Sequence, residues 1–474
     1  MLAAVMLGGA VGLGVCFDRG LAVVLVVFAL GGLTILITRP RALVVVACLV
    51  TVFSQTLTTL APEAGTYHLD EVPTLVAIVV LPLARMVRGS ALRFPVGGLA
   101  FLAFGLAGVA SSIASSVPAT VALQGAYPPF RAVAFGWAVS QLDWRPPDLR
   151  MLANVGRIFV ASLLAVTLFG LAVPRVWVQL GVAPDSNFAG YVFGVSGPFR
   201  HPSFFGQLMA LASVALFAEL KVFGRGHRLL LLLTGVGALS SFRRKTFVSL
   251  PVGLFTVAVR KNAVTAVAAM IGVAILLVAT AGPALVTVAS QTKRAYFTDP
   301  QEAPRTAITL GAAQIATADF PFGAGFGRFG SETASQDYSP EYVKRGFDEI
   351  DGLKPGDTRY GADTFWPVLA GESGWLGLIF YSIGLVSIFR RFAQGSRSTD
   401  KLAAVLGLTG MGWMSVLLVE SSAAPVFLGP PTYPVVFGLV GLLVSYRDCV
   451  ERDMAAVSPS SESTITYSTI GISR

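Results

Sequence analysis

The chain has 474 residues, 54% hydrophobic and only 13% charged, about half the charged share of a soluble domain. A mean hydropathy of +0.71, with repeated apolar runs long enough to cross about 30 Å of hydrocarbon, excludes a soluble globular protein. The net charge of +9 is spread over short loops, where it sets topology, and does not mark a nucleic-acid binder.

The apolar runs are continuous and do not alternate, so helices are expected and a β-barrel is not. Residues 1–15 lack a basic leading stretch and another apolar run follows at once, so they read as a short spanning helix rather than a signal peptide. Spans are predicted at 1–16, 20–37, 42–60, 72–87, 96–115, 121–141, 151–174, 202–220, 229–241, 246–259, 264–282, 373–389, 402–419 and 431–446. The expected fold is all-α, a polytopic membrane bundle of about 12–14 transmembrane helices. It divides into N-terminal helices over 1–282, a large extracytoplasmic loop over 283–372 containing an amphipathic helix, C-terminal helices over 373–449 and a disordered cytoplasmic tail over 450–474.

Charge orients the bundle. The loops 38–41, 85–93, 142–150, 221–228, 260–262 and 390–401 carry sixteen Lys and Arg against Asp143, Asp148 and Asp400. The alternate loops lean acidic, with Glu63, Asp70, Glu71 and eleven carboxylates between 283 and 363. The positive-inside rule then makes the first set and both termini cytoplasmic and places the large loop outside. The segment Ser241-Phe242-Arg243-Arg244-Lys245 falls on the outer side yet carries three cations. Either the helix count is off by one there, or a cationic site for an anionic ligand is held at the outer surface.

Cys16, Cys48 and Cys449 have neither metal nor disulfide spacing, and the three histidines form no HExxH, so no metal site is expected. Arg200-His201-Pro202 stands at the outer start of a span, where His201 either shapes the helix start or, with Arg200, holds an anion. His68 reads as a solvated loop residue. Arg305 opens RTAITLGAAQIATADF, whose apolar spacing fits an amphipathic helix of the kind that lies along a membrane surface. Gly323, Gly325 and Gly327 alternate with other residues in FGAGFG, either as a re-entrant turn or as a close backbone approach to a ligand. Asp363 precedes Thr364-Phe365-Trp366, where a carboxylate is either an N-cap or a general base under a capping loop. Glu372 follows nine residues later, placed to cap amides or orient a partner. Together, Arg200, Arg243, Arg244, Lys245 and Arg305 with one carboxylate suit transfer from a pyrophosphate leaving group.

The order GPFRHPSFFGQ, LSSFRR, an R-T pair, PFGAGFGRFG and ADTFWPVLAGESGWLGL resembles the O-antigen ligase and O-antigen polymerase superfamily over roughly residues 185–390. The resemblance implies a metal-independent glycosyltransferase without cofactor. Its donor would be an undecaprenyl-pyrophosphate-linked glycan at the outer face of the cytoplasmic membrane, and its acceptor a hydroxyl of a second glycan or of a lipid. Contacts with membrane lipid and with other polysaccharide-assembly proteins would follow. By the same resemblance Arg243 and Arg305 contact the pyrophosphate, and Gly323, Gly325 and Gly327 form the family's glycine turn. Asp363 and Thr364 stand where the family has His-Asn, with Glu372 and Gly374 in register, and Phe242 replaces a serine. The carboxylate at 363 tilts the expectation toward polymerase over ligase. Competing expectations are a transporter or flippase of an anionic lipid-linked glycan, and a non-catalytic scaffold of envelope assembly.

Overall fold

The computed structural model describes residues 39–60, 71–173, 187–188, 192–199, 201–224, 226–259 and 303–457. The expected spans at 1–16, 20–37 and 264–282, together with Cys16, His68 and Arg200, lie outside these residues. Every other expected span is a helix: α1 (Pro40–Leu60), α2 (Glu71–Val87), α3 (Gly98–Ala114), α4 (Ala119–Ser140), α5 (Pro146–Ala172), α6 (Pro202–Phe223), α7 (Arg228–Ser240), α8 (Arg244–Ala258), α12 (Trp366–Ser396), α13 (Lys401–Glu420) and α14 (Tyr433–Val457). Between α8 and α12 lie α9 (Pro304–Ala318), α10 (Glu332–Gln336), α11 (Pro340–Val343) and one 3-10 turn. Among the described residues, the exception to an all-α fold is a two-residue antiparallel pair, β1 (Asn187–Phe188) and β2 (Val192–Phe193).

Among the described residues, five helices are long and apolar enough to cross a membrane: α5, α6, α12, α13 and α14. Large apolar side chains face outward, including Leu99, Leu102, Leu106 and Ile113 on α3 and Ile158, Leu168 and Phe169 on α5. That surface suits lipid, and the chain is built as a membrane protein. Inside, small residues bring helix backbones together. A Cβ on Gly441 of α14 would sit 2.3 Å from the Gly136 carbonyl of α4. One on Gly97, just before α3, would meet Gly384 of α12 at 3.0 Å. Buried hydroxyls bond carbonyls one turn back, as Ser111 Oγ does to Ala107 at 2.8 Å, which satisfies them within their own helix.

The two ends of the bundle differ in chemistry. At one end the basic loops fold together around Asp143. It accepts from Arg93 at 2.8 Å and Arg452 at 2.8 Å and pairs with Arg85 at 3.4 Å. Partial burial raises the carboxyl's pKa, but the bonds and charges of Arg93 and Arg452 outweigh it and hold the group well below the usual carboxylate range. These contacts also extend α14 to Val457, past the expected start of a disordered tail at 450, because Arg452 is anchored there and Arg447 pairs with Glu451 one turn on. Residues 458–474 lie outside the described residues.

The opposite end, about 33 Å away along the 22 residues of α4, is covered by residues 303–363. This layer has its own core, in which Ile308, Ala312 and Ile315 of α9 pack on Phe329, Tyr342 and Phe347. The apolar face of α9, expected along a membrane surface, is thus spent on the layer itself and on α12.

Candidate active site

Beneath this layer lies a cavity of about 1260 Å³, walled by α2, α4, α6, α8 and α12, by residues 330–332 and 359–363, and by the stretch from Val419 to Pro430. His201, Arg243, Arg244, Lys245, Arg305, Asp363 and Glu372 all line it. These seven residues, up to 171 positions apart in the chain, are therefore neighbours around one space. The described lining holds six basic side chains and four carboxylates, so the excess charge is positive.

The 241–245 loop is a tight turn between α7 and α8, with Phe242 in the left-handed region at φ 48°. The reversal sets Arg243 at the N-cap and Arg244 and Lys245 in the first turn of α8, a turn that contains no acidic residue of its own. The partial positive charge of the helix start adds to theirs. Lys245 Nζ lies 3.1 Å from Glu420 Oε2, and Ser249 Oγ donates to Glu420 Oε1 at 2.8 Å. Glu420 is wholly buried at the end of α13, so the pair ties the cationic turn to the bundle.

Arg305 follows Pro304 in the first turn of α9. Its Nε donates to Asp363 Oδ2 at 3.0 Å, and its Nη2 contacts the same oxygen. The Tyr360 ring lies 5.3 Å from the guanidinium carbon. Asp363 is not an N-cap: α12 begins at Trp366, the cap position belongs to Phe365, and no side chain caps it. Nor does Thr364 serve as one, since its Oγ1 is buried with no hydrogen-bond partner among the described residues. The base candidate and an expected pyrophosphate ligand are thus one ion pair bridging 58 residues.

His201 takes the first of the two roles open to it and faces the cavity. It is the N-cap of α6, with Nδ1 accepting from Ser203 N at 3.2 Å, and it lines the cavity. The glycine turn does something other than meet the cavity. Helix α12 breaks at Gly374, where φ is 70° and ψ −172°, a conformation essentially confined to glycine. The break frees the carbonyls of Gly371 and Glu372, which accept from Ala324 N at 2.8 Å and Gly325 N at 2.9 Å. On the turn's other side Gly323 N donates to Ser111 Oγ at 3.1 Å and Phe326 N to Ser112 Oγ at 3.0 Å. Gly323, Gly325 and Gly327 therefore lock the turn between α3, α4 and α12, where a Cβ on each would lie within 2.6 Å of a neighbouring atom. Glu372 Oε1 accepts from Phe329 N at 3.4 Å, so this carboxylate orients the turn as it lines the cavity. Tyr342 closes the layer, accepting from Gly330 N at 3.0 Å and donating to the Gly361 carbonyl at 3.1 Å. Burial pushes its hydroxyl up to about 12.

The structure adds residues that motif reading passes over. Arg131 sits mid-way along α4, 7% exposed, with its guanidinium carbon 4.6 Å from the Tyr433 ring centroid and 5.0 Å from that of Tyr127. Its Nη1 lies 3.5 Å from Glu71 Oε1. Gln207, buried on α6, lines the same cavity, and its Nε2 has no hydrogen-bond partner among the described residues. The signal for Arg131 was in plain view, since a charge inside an apolar run marks a site by default. Glu332 and Arg359 gave no such signal, being ordinary loop charges until folding brings them to the wall. No cluster of His, Cys, Asp or Glu that could hold a metal ion occurs among the described residues.

No protein-family model matches the chain, and no curated protein matches it.

Proposed function

We propose that this chain is a membrane glycosyltransferase of the O-antigen ligase and polymerase type, acting on undecaprenyl-pyrophosphate-linked oligosaccharides at the outer face of the cytoplasmic membrane, with polymerisation favoured over ligation. What supports this most is the meeting of Arg243, Arg244, Lys245 and Arg305 with the Asp363 carboxylate around one cavity. In this reading the basic end around Asp143 faces the cytoplasm, both termini lie there, the bundle holds twelve to fourteen spans (about 20 residues each), and 283–372 is the outer cap.

The acceptor hydroxyl attacks the anomeric carbon of the donor sugar. The bond from that carbon to the pyrophosphate oxygen breaks, and undecaprenyl pyrophosphate leaves with the electron pair. Arg243, Arg244 and Arg305 stabilise the charge that develops on the leaving oxygen, and Asp363 takes the hydroxyl's proton. Arg305 couples the two roles. Both its bonds fall on Asp363 Oδ2, so the guanidinium occupies the oxygen that would take the acceptor's proton. A bound pyrophosphate competes for the guanidinium, so donor binding frees that oxygen before the acceptor is deprotonated.

Arg131 favours a second reading. A guanidinium paired with Glu71 at mid-helix is where a carrier of an anionic lipid-linked glycan would hold its cargo. Glycan chain length in cells lacking the protein separates the readings. Loss of long chains with single repeats kept supports polymerase, and loss of attachment with free lipid-linked polymer supports ligase. Lipid-linked units confined to the inner leaflet would replace both with the carrier.

A further inference from the structure

A second cavity of about 1040 Å³ opens between α1, α5, α6, α13 and α14 and shares no lining residue with the first. The two meet back to back across α6, where Gln207 lines one and Leu208 the other. Its walls are apolar over most of their length, and its polar residues gather where α5 and α13 begin, on the same side as Asp143. Along α13 the lining runs from Lys401 to Trp413 and along α14 from Pro434 to Tyr446, about 18 Å in each case. One leaflet of hydrocarbon is about 15 Å deep. The groove therefore matches a single leaflet and ends near the middle of the membrane.

The charges at its mouth are unequal. Asp400 is committed to capping α13, accepting from Ala403 N at 2.8 Å. Glu219 is paired with Arg157 at 2.5 Å. Arg150 and Lys401 are exposed, and neither is ion-paired to another described residue. Apolar walls one leaflet deep beneath two such cations are the complement of an amphiphile with a negative headgroup and long acyl chains.

We propose that this groove is a binding site for an anionic phospholipid of the leaflet on the Asp143 side, with acyl chains between α5 and α13 and the phosphate at Arg150 and Lys401. The site is independent of the cavity chemistry and of the function proposed above.

The test is native mass spectrometry of the full-length protein in detergent, incubated with phosphatidylglycerol or phosphatidylcholine of equal chain length. Phosphatidylglycerol is expected to be retained at least tenfold more than phosphatidylcholine. Arg150→Gln with Lys401→Gln should remove that preference. Gly156→Phe should abolish retention of both lipids, because Gly156 lines the groove and a Cβ there meets nothing within 4 Å. Both variants should melt with the parent. Equal retention of the two lipids by the parent, or undiminished phosphatidylglycerol on the Gly156→Phe protein, would overturn the proposal. So would a photo-crosslinker at Ala212 that captures residues 1–38 of the chain in place of lipid.

Discussion

Gly374→Ala tests the part of the structure that positions the site. The residue holds φ 70° and ψ −172°, a region that costs a residue with a Cβ about 1–3 kcal/mol. The added Cβ would lie 2.2 Å from the Phe322 carbonyl oxygen. That contact is with backbone, and relieving such overpacking costs about 1–3 kcal/mol more. The movement needed would pull the turn from the Gly371 and Glu372 carbonyls, where Ala324 and Gly325 donate, at about 1 kcal/mol per bond. A loss of about 4 kcal/mol is expected. The assay is unfolding of the purified protein in detergent, alongside Gly346→Ala. Gly346 has φ +67° but open space at its Cβ, so it isolates the backbone term at about 1–2 kcal/mol. If Gly374→Ala costs no more than Gly346→Ala, the helix break is not held by the glycine turn and the reasoning fails.

Glu420→Ala should destabilise by about 3–5 kcal/mol, because it strands Lys245 beside a buried void. Lys245→Met with Glu420→Gln should cost distinctly less in the same melt, and equal losses would deny the pair its role. Asp143→Asn should lower the melting midpoint at pH 7. Asp143 is held below its usual pKa when folded, so its contribution is present above the unfolded carboxyl pKa of about 4 and fades as pH falls through the folded value. The parent and variant curves should therefore converge on acidification, and a gap that widens below pH 4 would contradict the assignment. Arg131→Met should leave the protein in the membrane but cut transfer by at least about 100-fold if the guanidinium meets substrate. Unchanged transfer would leave Arg131 as a packing residue between Tyr127 and Tyr433.

The helices were legible because an apolar run has few options in lipid. Each expected span within the described residues is helical, and α9 was readable from its spacing. Burial by tertiary contact was not readable. The amphipathic face of α9 looks the same whether lipid or Phe329 covers it, and a glycine-rich turn gives no hint whether its missing side chains make room for a ligand or for helix α3. Arg243 and Lys245 were identifiable as candidates from charge placed against topology, Asp363 from its place before a helix, and Arg305 from the resemblance. Their geometry was not, since the Arg305–Asp363 bond joins residues 58 apart. The extension of α14 past residue 449 depends on Asp143, some 300 residues earlier, which no local reading of a Ser/Thr-rich tail contains.

The central claim is that Arg305 and Asp363 act on substrate and are more than a strut. As a strut, their partly buried pair, 20% and 28% exposed, contributes about 1 kcal/mol, and exchanging the charges would restore it. The decisive measurement is glycan chain length in cells carrying Arg305→Ala, Asp363→Ala or the exchanged pair Arg305→Asp with Asp363→Arg, each at parental membrane level. Loss of long chains is expected in all three. Long chains returning in the exchanged variant, or persisting in either alanine variant, would contradict it.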